Sequence, residues 1–119
     1  MAMTISGSLM ELCVLALAAR EDLYGYKLTQ QMKKRFEISE SSLYPVLRRL
    51  TRAGLLKTYD VPQDGRMRRY YALTEEGSKM LDTYREDWQE FSGKINDLVN
   101  LDSDLNEGGC RDDQRAISE

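Results

Sequence analysis

Histidine is absent from this chain of 119 residues, and cysteine and proline each occur only twice. Without histidine, the chain can form no Ser-His-Asp or Cys-His relay, no histidine proton shuttle and no histidine-ligated zinc site. Cys13 and Cys110 are far apart and form no CxxC pair, so we expect no disulfide framework. The sequence also offers no convergent set of titratable groups, and we therefore expect neither catalysis nor a cofactor.

Long hydrophobic runs are missing as well. The longest, residues 12–19, has 8 residues, whereas a membrane span needs roughly 18 or more. This run also lacks the basic flank and the cleavage site of a secretory signal. A length of 119 residues suits one ordinary core. The sequence thus predicts a cytoplasmic protein with no membrane partner.

Charge is divided unevenly along the chain, although the net charge is only −3. Residues 20–71 hold 12 basic and 6 acidic side chains, whereas residues 72–119 hold 5 basic and 13 acidic ones. Attraction to phosphate acts over about a Debye length, so a local basic face can bind nucleic acid despite a distant acidic segment. A mixed, solvated surface is the alternative interpretation.

Apolar periodicity predicts three helices in the first half of the chain. Residues 8–20 are apolar on nearly every side, and a helix of this kind must be covered all round, which favours a second subunit. Residues 24–35 form an amphipathic pattern. After a short break at residues 36–38, a serine-rich helix start leads to a third helix that ends at Gly54. This arrangement predicts a helix-turn-helix, with an ordinary helical hairpin as the alternative.

The outward face of the third helix combines hydroxyl groups and an aromatic ring at its beginning with guanidinium groups further along. These are the residue types that contact bases and phosphates from a major groove. The candidate DNA-binding residues of this helix are Ser41, Ser42, Tyr44, Arg48, Arg49 and Arg52.

The pattern then changes to a period of two, which predicts a β-hairpin. Residues 55–59 and 69–73 are strand-like, and residues 60–66 contain turn-forming side chains with an Asp-Gly step. We expect the tip to present Arg66, Arg68 and Arg69, as in the wing beside a helix-turn-helix. A charged edge that prevents strand aggregation is the alternative role of these arginines.

A long final helix is predicted from Thr74, its N-cap, to about Leu101. Apolar residues recur along it at spacings of three and four, the pattern of a coiled coil. This stripe predicts homodimerisation, and packing within one chain is the alternative. The candidate dimerisation residues, with one from the first helix, are Leu12, Leu81, Trp88, Phe91, Ile95 and Leu98. Residues 103–119 are polar and acidic, and we expect a disordered tail.

Several motifs occur in order at the spacings of one family. They are GSLMEL at 7–12, LYGYKL at 23–28, SLYPVLRRL at 42–50, GLL at 54–56 and GRMRRYYALTEEG at 65–77. Over residues 7–100 the chain resembles the short subgroup of the PadR family of transcriptional regulators. The resemblance implies a mainly α fold with a small β-hairpin: a winged helix-turn-helix at 1–74, a dimerisation helix at 75–102 and a tail at 103–119.

The same resemblance implies a homodimeric repressor that binds operator DNA and is released by a small planar aromatic or drug-like effector. Two recognition helices, one per subunit, would enter successive major grooves, so we expect a near-palindromic operator. Relatives place such a ligand between paired tryptophans, and Trp88 stands at the matching position, with Tyr84, Phe91 and Ser92 within one turn. Trp88 filling the dimer core is an equally open interpretation. A DNA-binding regulator without an effector and a winged helix that binds protein remain further alternatives.

Overall fold

The computed structural model describes residues 5–101, so the predicted tail at 103–119 and Cys110 lie outside the described residues. The chain is mainly helical with one three-stranded antiparallel sheet, in which the strand order is β1-β3-β2. The elements are α1 (Gly7–Arg20), β1 (Leu23–Tyr24), α2 (Gly25–Arg35), α3 (Glu40–Arg52), β2 (Leu56–Gln63), β3 (Arg66–Leu73) and α4 (Glu75–Val99).

The chain consists of two compact units, and the division between them falls within α4, between Arg85 and Glu86. The first unit contains the sheet, helices α1 to α3 and the beginning of α4. Its core is apolar, and its innermost side chains come from all four helices and from β2: Val14, Leu15, Leu28, Met32, Leu43, Leu47, Leu50, Leu56 and Leu81. Helix α4 begins directly after residue 74, the predicted end of the DNA-binding domain, but the division between the two units falls later, after Arg85, so the predicted domain bounds stay a prediction.

Helix α3 is closed at both ends by local hydrogen bonds. At its start, the Ser39 hydroxyl accepts the backbone N–H of Ser42 at 3.2 Å, as an N-cap. At its end, the N–H of Gly54 bonds to the Thr51 carbonyl, and the N–H of Leu55 bonds to the Leu50 carbonyl. This is a Schellman motif, and the φ of +80° at Gly54 is the left-handed conformation that it requires. The predicted start in the serine cluster and the glycine cap at Gly54 are therefore confirmed, and α3 itself ends two residues before that glycine, at Arg52.

The β-hairpin is longer than the sequence predicts. Its turn consists of Asp64 and Gly65 alone, with φ angles of 54° and 76°, the positive values of a type I′ turn. The prediction that residues 60–66 form the turn is therefore wrong, because β2 and β3 continue pairing up to Gln63 and Arg66. Pro62 is accommodated because β2 is an edge strand, where a residue without an N–H need not break the ladder.

The short strand β1 lies where the sequence predicts the start of the second helix. Residues Leu23 and Tyr24 pair with Tyr71 and Tyr70 of β3, and α2 begins only at Gly25. The β-pairing of these two residues depends on a partner about fifty positions away in sequence, which local periodicity cannot detect.

Helix α4 starts against the hairpin. The Thr74 hydroxyl accepts the N–H of Gly77 at 2.9 Å and donates to the Gly54 carbonyl at 2.7 Å, which confirms the predicted N-cap. Gly77 is buried, and a Cβ atom there would collide with the Leu55 carbonyl. Glycine at position 77 is therefore the condition for the close packing of this helix start.

No helix within residues 5–101 is both long and apolar enough to traverse a bilayer. Cys13 is half-buried on α1 as a free thiol, and burial raises its pKa above the ordinary value, partly offset by the positive charge of Arg35. Cys13 thus packs against the core as a small apolar side chain, the usual role of a partly buried thiol.

Candidate nucleic-acid interface

Helix α3 separates its two faces cleanly. Its apolar side chains, Leu43, Val46, Leu47 and Leu50, are buried in the core. All six of the candidate DNA-binding residues on this helix are exposed, namely Ser41, Ser42, Tyr44, Arg48, Arg49 and Arg52. The N-cap binds two of the hydroxyls locally, because Ser39 Oγ lies 3.0 Å from both Ser41 Oγ and Ser42 Oγ.

An open groove of about 610 Å³ brings α3 and the wing together. Tyr44 and Arg48 of α3 line one side, and Arg68 and Arg69 of β3 are among the residues that line the other. Three further tyrosines, Gly25, Met67 and Asp60 complete the walls, so the groove combines guanidinium groups and one carboxylate with flat apolar surfaces. Residues that the sequence assigned to two separate motifs therefore line one groove.

Three of the predicted arginines, Arg49, Arg68 and Arg69, each lie beside an acidic side chain. The Nε of Arg49 donates to Glu11 Oε2 on α1 at 2.8 Å. Arg69 lies along β3 rather than at the tip, and its Nε donates to Asp60 Oδ1 at 3.3 Å. The expectation that Arg69 belongs to the wing tip is therefore wrong, because the turn is shorter than predicted.

Arg68 also has two local contacts. Its guanidinium lies 4.6 Å from the ring centroid of Tyr24 and 3.9 Å from Asp64 Oδ2. Both contacts hold the side chain against the wing.

Within the described residues, the other three predicted arginines have no acidic side chain bound to them, and we call them the uncompensated arginines. Among the hydrogen bonds and ion pairs of residues 5–101, none engages the side chain of Arg48, Arg52 or Arg66. Arg48 and Arg52 lie on α3, and Arg66 follows the hairpin turn directly. These three side chains are therefore available to bind an anionic partner.

Tyrosines around the wing are the interface residues that the sequence reasoning missed. The rings of Tyr59 and Tyr70 stack at 5.5 Å, and Tyr24 contacts Tyr70 at 5.6 Å. Tyr26 stacks on Tyr24 at 6.3 Å and is itself exposed. The LYGY motif contains Tyr24 and Tyr26, and the RRYYAL motif contains Tyr70 and Tyr71. Only the pairing of β1 with β3 shows that the two motifs lie side by side.

Two of these tyrosines resist ionisation. A hydrogen bond from the Tyr59 hydroxyl to Asp22 Oδ2, 2.6 Å long, raises the pKa of Tyr59, because the phenolate would face a carboxylate. Burial raises the pKa of Tyr71, and the positive charges of Arg69 and Arg48 partly oppose this shift. Both groups therefore remain hydrogen-bond donors over the physiological pH range.

The predicted dimerisation residues fall into both units. In the first unit Leu81 is buried in the core of its own chain, and Leu12 is half-buried against the same core. In the second unit four apolar side chains are exposed: Trp88 by 41%, Phe91 by 55%, Ile95 by 41% and Leu98 by 68%. We call these four residues the α4 stripe.

The candidate effector-binding residues divide in the same way. The Trp88 and Phe91 rings lie 6.4 Å apart at a tilt of 48°, and the Ser92 hydroxyl donates to the Gln89 carbonyl. Tyr84 belongs to the first unit, where its hydroxyl donates to Glu11 Oε1 at 3.0 Å. Within residues 5–101, no group of three or more acidic or cysteine side chains is arranged to hold a metal ion.

Comparison with known proteins gives one consistent result. Residues 14–83 match the model of the "Transcriptional regulator PadR-like family". A transcriptional regulator of Mycobacterium tuberculosis is 34% identical over 83 residues, which cover 69% of this chain and 78% of the relative.

Solved structures agree with the sequence matches. A crystal structure from Streptococcus mutans matches with a TM-score of 0.79 and 37% identity, covering 95% of this chain and 100% of the other. A PadR-like transcriptional regulator of Bacillus cereus matches with a TM-score of 0.70 and 30% identity, covering 76% of this chain and 91% of the other. The winged-helix fold is thereby confirmed, the relatives are regulators rather than enzymes, and the chain belongs to the PadR-like family of transcriptional regulators.

Proposed function

We propose that this PadR-family regulator is a repressor that binds operator DNA as a homodimer and that a planar aromatic or drug-like molecule releases it. The groove between α3 and the wing carries the DNA-binding part of the proposal. Tyr44 and Arg48 on one side and Arg68 and Arg69 on the other line a single groove. In a winged helix the recognition helix enters a major groove while basic side chains around it contact phosphates.

The distribution of charge also supports a placement in which α3 and the wing face the DNA. The uncompensated arginines, Arg48, Arg52 and Arg66, belong to the two elements that would face the duplex. An arginine in an exposed ion pair, such as Arg69 with Asp60, attracts a DNA phosphate less strongly, because an anion already lies beside it. We therefore assign phosphate binding mainly to the three uncompensated arginines, and positioning roles to Arg49, Arg68 and Arg69.

A second copy of the chain is the proposed partner of the α4 stripe. The four exposed side chains recur at spacings of three and four, the pattern with which two helices interlock. Leaving them in water would forfeit about 25 cal/mol for each Å² of apolar surface. Two copies related by a twofold axis would present two recognition helices to successive major grooves, so a near-palindromic operator follows.

The effector site is proposed at Trp88 on the dimer axis. Phe91 lies beside the indole, and Ser92, one turn after Trp88, supplies a hydroxyl. A planar ligand could stack on the indole and bury apolar surface. It would release DNA only by favouring a dimer whose helix spacing misfits the operator. A protein with this role would act in the cytoplasm, where it meets duplex DNA.

Selection of duplexes from a random pool by the purified full chain tests DNA binding. We expect enrichment of a near-palindrome whose affinity falls steeply with salt, because each neutralised phosphate releases counterions. Each substitution removes one phosphate contact from each of the two subunits, so Arg66→Ala and Arg48→Ala should each reduce the slope of log affinity of the dimer against log salt by about 1.8. Lys79→Ala, which removes an exposed cation from α4, should leave the slope unchanged.

The alternatives make different predictions. A winged helix that binds protein predicts no salt-dependent binding to any duplex, and this result would contradict the proposal. Repression predicts that transcription from a promoter containing the selected duplex falls when the protein is added. A regulator without an effector predicts no calorimetric binding of planar aromatics to the dimer, and no ligand-dependent release of the duplex.

A further inference from the structure

The carboxylate of Glu11 connects three helices. Its Oε2 accepts from Arg49 Nε of α3 at 2.8 Å, and its Oε1 accepts from the Tyr84 hydroxyl of α4 at 3.0 Å. The Glu11 side chain is only 17% exposed, whereas that of Arg49 is 52% exposed. The partners lie 38 and 73 residues away along the chain, so the tertiary fold alone creates this junction.

The junction holds the side of α3 that does not line the groove. Successive residues on a helix point about 100° apart, and Arg48 lines the groove while Arg49 bonds to α1. A hydrogen bond between a guanidinium and a carboxylate is short, directional and stronger than a neutral one. Together with the buried apolar face of α3, this bond restrains the rotation of the helix about its own axis, and with it the direction in which Arg48 points.

From this geometry we propose that Glu11 is a positioning residue for DNA recognition: it orients α3 through Arg49, and Tyr84 orients Glu11. The inference rests on the proposed DNA-binding function. It assigns Arg49 to the support of the recognition helix rather than to a phosphate, although its charge and exposure resemble those of Arg48.

The two roles for Arg49 predict opposite effects of removing the Glu11 charge. If Arg49 bound a phosphate, Glu11 would compete with the DNA, and Glu11→Gln would tighten binding. If Glu11 positions α3, Glu11→Gln weakens the charge-assisted bond and lets the helix rotate. Affinity for the selected duplex then falls even though a negative charge has been removed from the protein.

The experiment measures binding of wild type and Glu11→Gln to two duplexes, the one that the wild type selects and an unrelated one of equal length. We expect affinity for the selected duplex to fall by about fivefold. Affinity for the unrelated duplex and the salt slope should hardly change, because the number of phosphates bound is the same. Glu37→Gln, which removes an equal charge from an exposed position outside the junction, should not lower either affinity.

A second variant keeps the test independent of folding. Tyr84→Phe retains the ring and removes the hydroxyl that bonds to Oε1, so it should produce a smaller loss on the selected duplex alone. Combined with Glu11→Gln it should add little, because both changes disable one junction. Thermal unfolding followed by circular dichroism verifies that each variant is folded.

The outcomes separate the two proposals. A wild type that binds no duplex contradicts the proposed function itself. A wild type that binds, together with a folded Glu11→Gln that binds the selected duplex as tightly or more tightly, contradicts the positioning role alone. Equal losses on both duplexes would also contradict it, since they would indicate a general loss of phosphate binding rather than a misdirected helix.

Discussion

The two units of the chain differ in how far their apolar side chains are buried. In the first unit, Leu47 of α3 and Leu81 of α4 are nearly inaccessible to water. In the second, Phe91 and Leu98 continue the spacing of Leu81 on the same helix, yet more than half of each side chain is exposed. The first unit thus completes its own core, whereas the second leaves an apolar face exposed, which we propose a second copy of the chain covers.

The largest expected difference between the units is in the effect of truncating leucine. Leu47→Ala should lower the free energy of unfolding by about 3 kcal/mol, because it leaves a cavity in the core. Leu98→Ala should change it by less than about 0.5 kcal/mol in dilute solution. Urea unfolding measures both changes. A cost of Leu98→Ala that rises with protein concentration would show that a second copy covers this residue, and a large cost in dilute solution would contradict the comparison.

Glycine substitutions on α4 should differ in sign between the units. Gly77→Ala forces a Cβ into the Leu55 carbonyl, and we expect a loss of about 2–3 kcal/mol, typical of overpacking. Apart from its chain neighbours and its own helix backbone, a Cβ at Gly93 meets no atom of residues 5–101 within 4 Å, so Gly93→Ala should stabilise the helix by up to about 1 kcal/mol. Thermal unfolding of the two variants measures the contrast. Equal losses would mean that Gly93 is as tightly packed as Gly77.

A charge placed in the α4 stripe should separate the copies. Phe91→Glu would bury a carboxylate against apolar side chains, and we expect dimerisation to weaken by at least about tenfold. Gln89→Glu adds the same charge two positions away, outside the stripe, and should leave the dimer intact. Sedimentation of both variants at several concentrations tests this. A wild type that sediments as a monomer of 13.7 kDa at micromolar concentration would contradict the dimer itself.

The smallest effect should come from the wing tyrosines at alkaline pH. The hydrogen bond to Asp22 raises the pKa of Tyr59, so its stabilising contribution is complete below the ordinary tyrosine pKa of about 10 and is lost as the pH rises through the higher folded value. Phenolate absorbance should show late titration of both Tyr59 and Tyr71, and Tyr59→Phe should remove the part that belongs to Tyr59. Tyr26→Phe leaves the bond to Asp22 intact, and should leave that late step in place.

Local structure was largely predictable because its causes are local. The three helices of the first half, the N-cap at Thr74 and the wing all follow from periodicity, capping residues and an Asp-Gly step. The errors arose where pairing partners are distant in sequence. Leu23 and Tyr24 form a strand only because β3 lies beside them, and the hairpin turn shortens to Asp64 and Gly65 because the ladder continues beyond the strand-like residues.

The residue types of the candidate interface were predictable from the sequence, but it was not predictable which arginines are paired with an acidic side chain. Spacing alone placed Arg48 and Arg49 on the exposed face of α3, and both are exposed. Their surroundings differ, because Glu11 binds one while the other lines the groove. No pattern within the helix distinguishes them.

By itself the sequence determined which segments become helices and strands, which faces are apolar and where basic residues accumulate, because these depend on neighbours a few positions away. Tertiary structure alone decided which arginines are neutralised, which tyrosines meet and which part of the apolar stripe on α4 is buried. Electrostatic and packing energies act between atoms in space, and the chain brings residues as distant as Glu11 and Tyr84 into contact only when it folds.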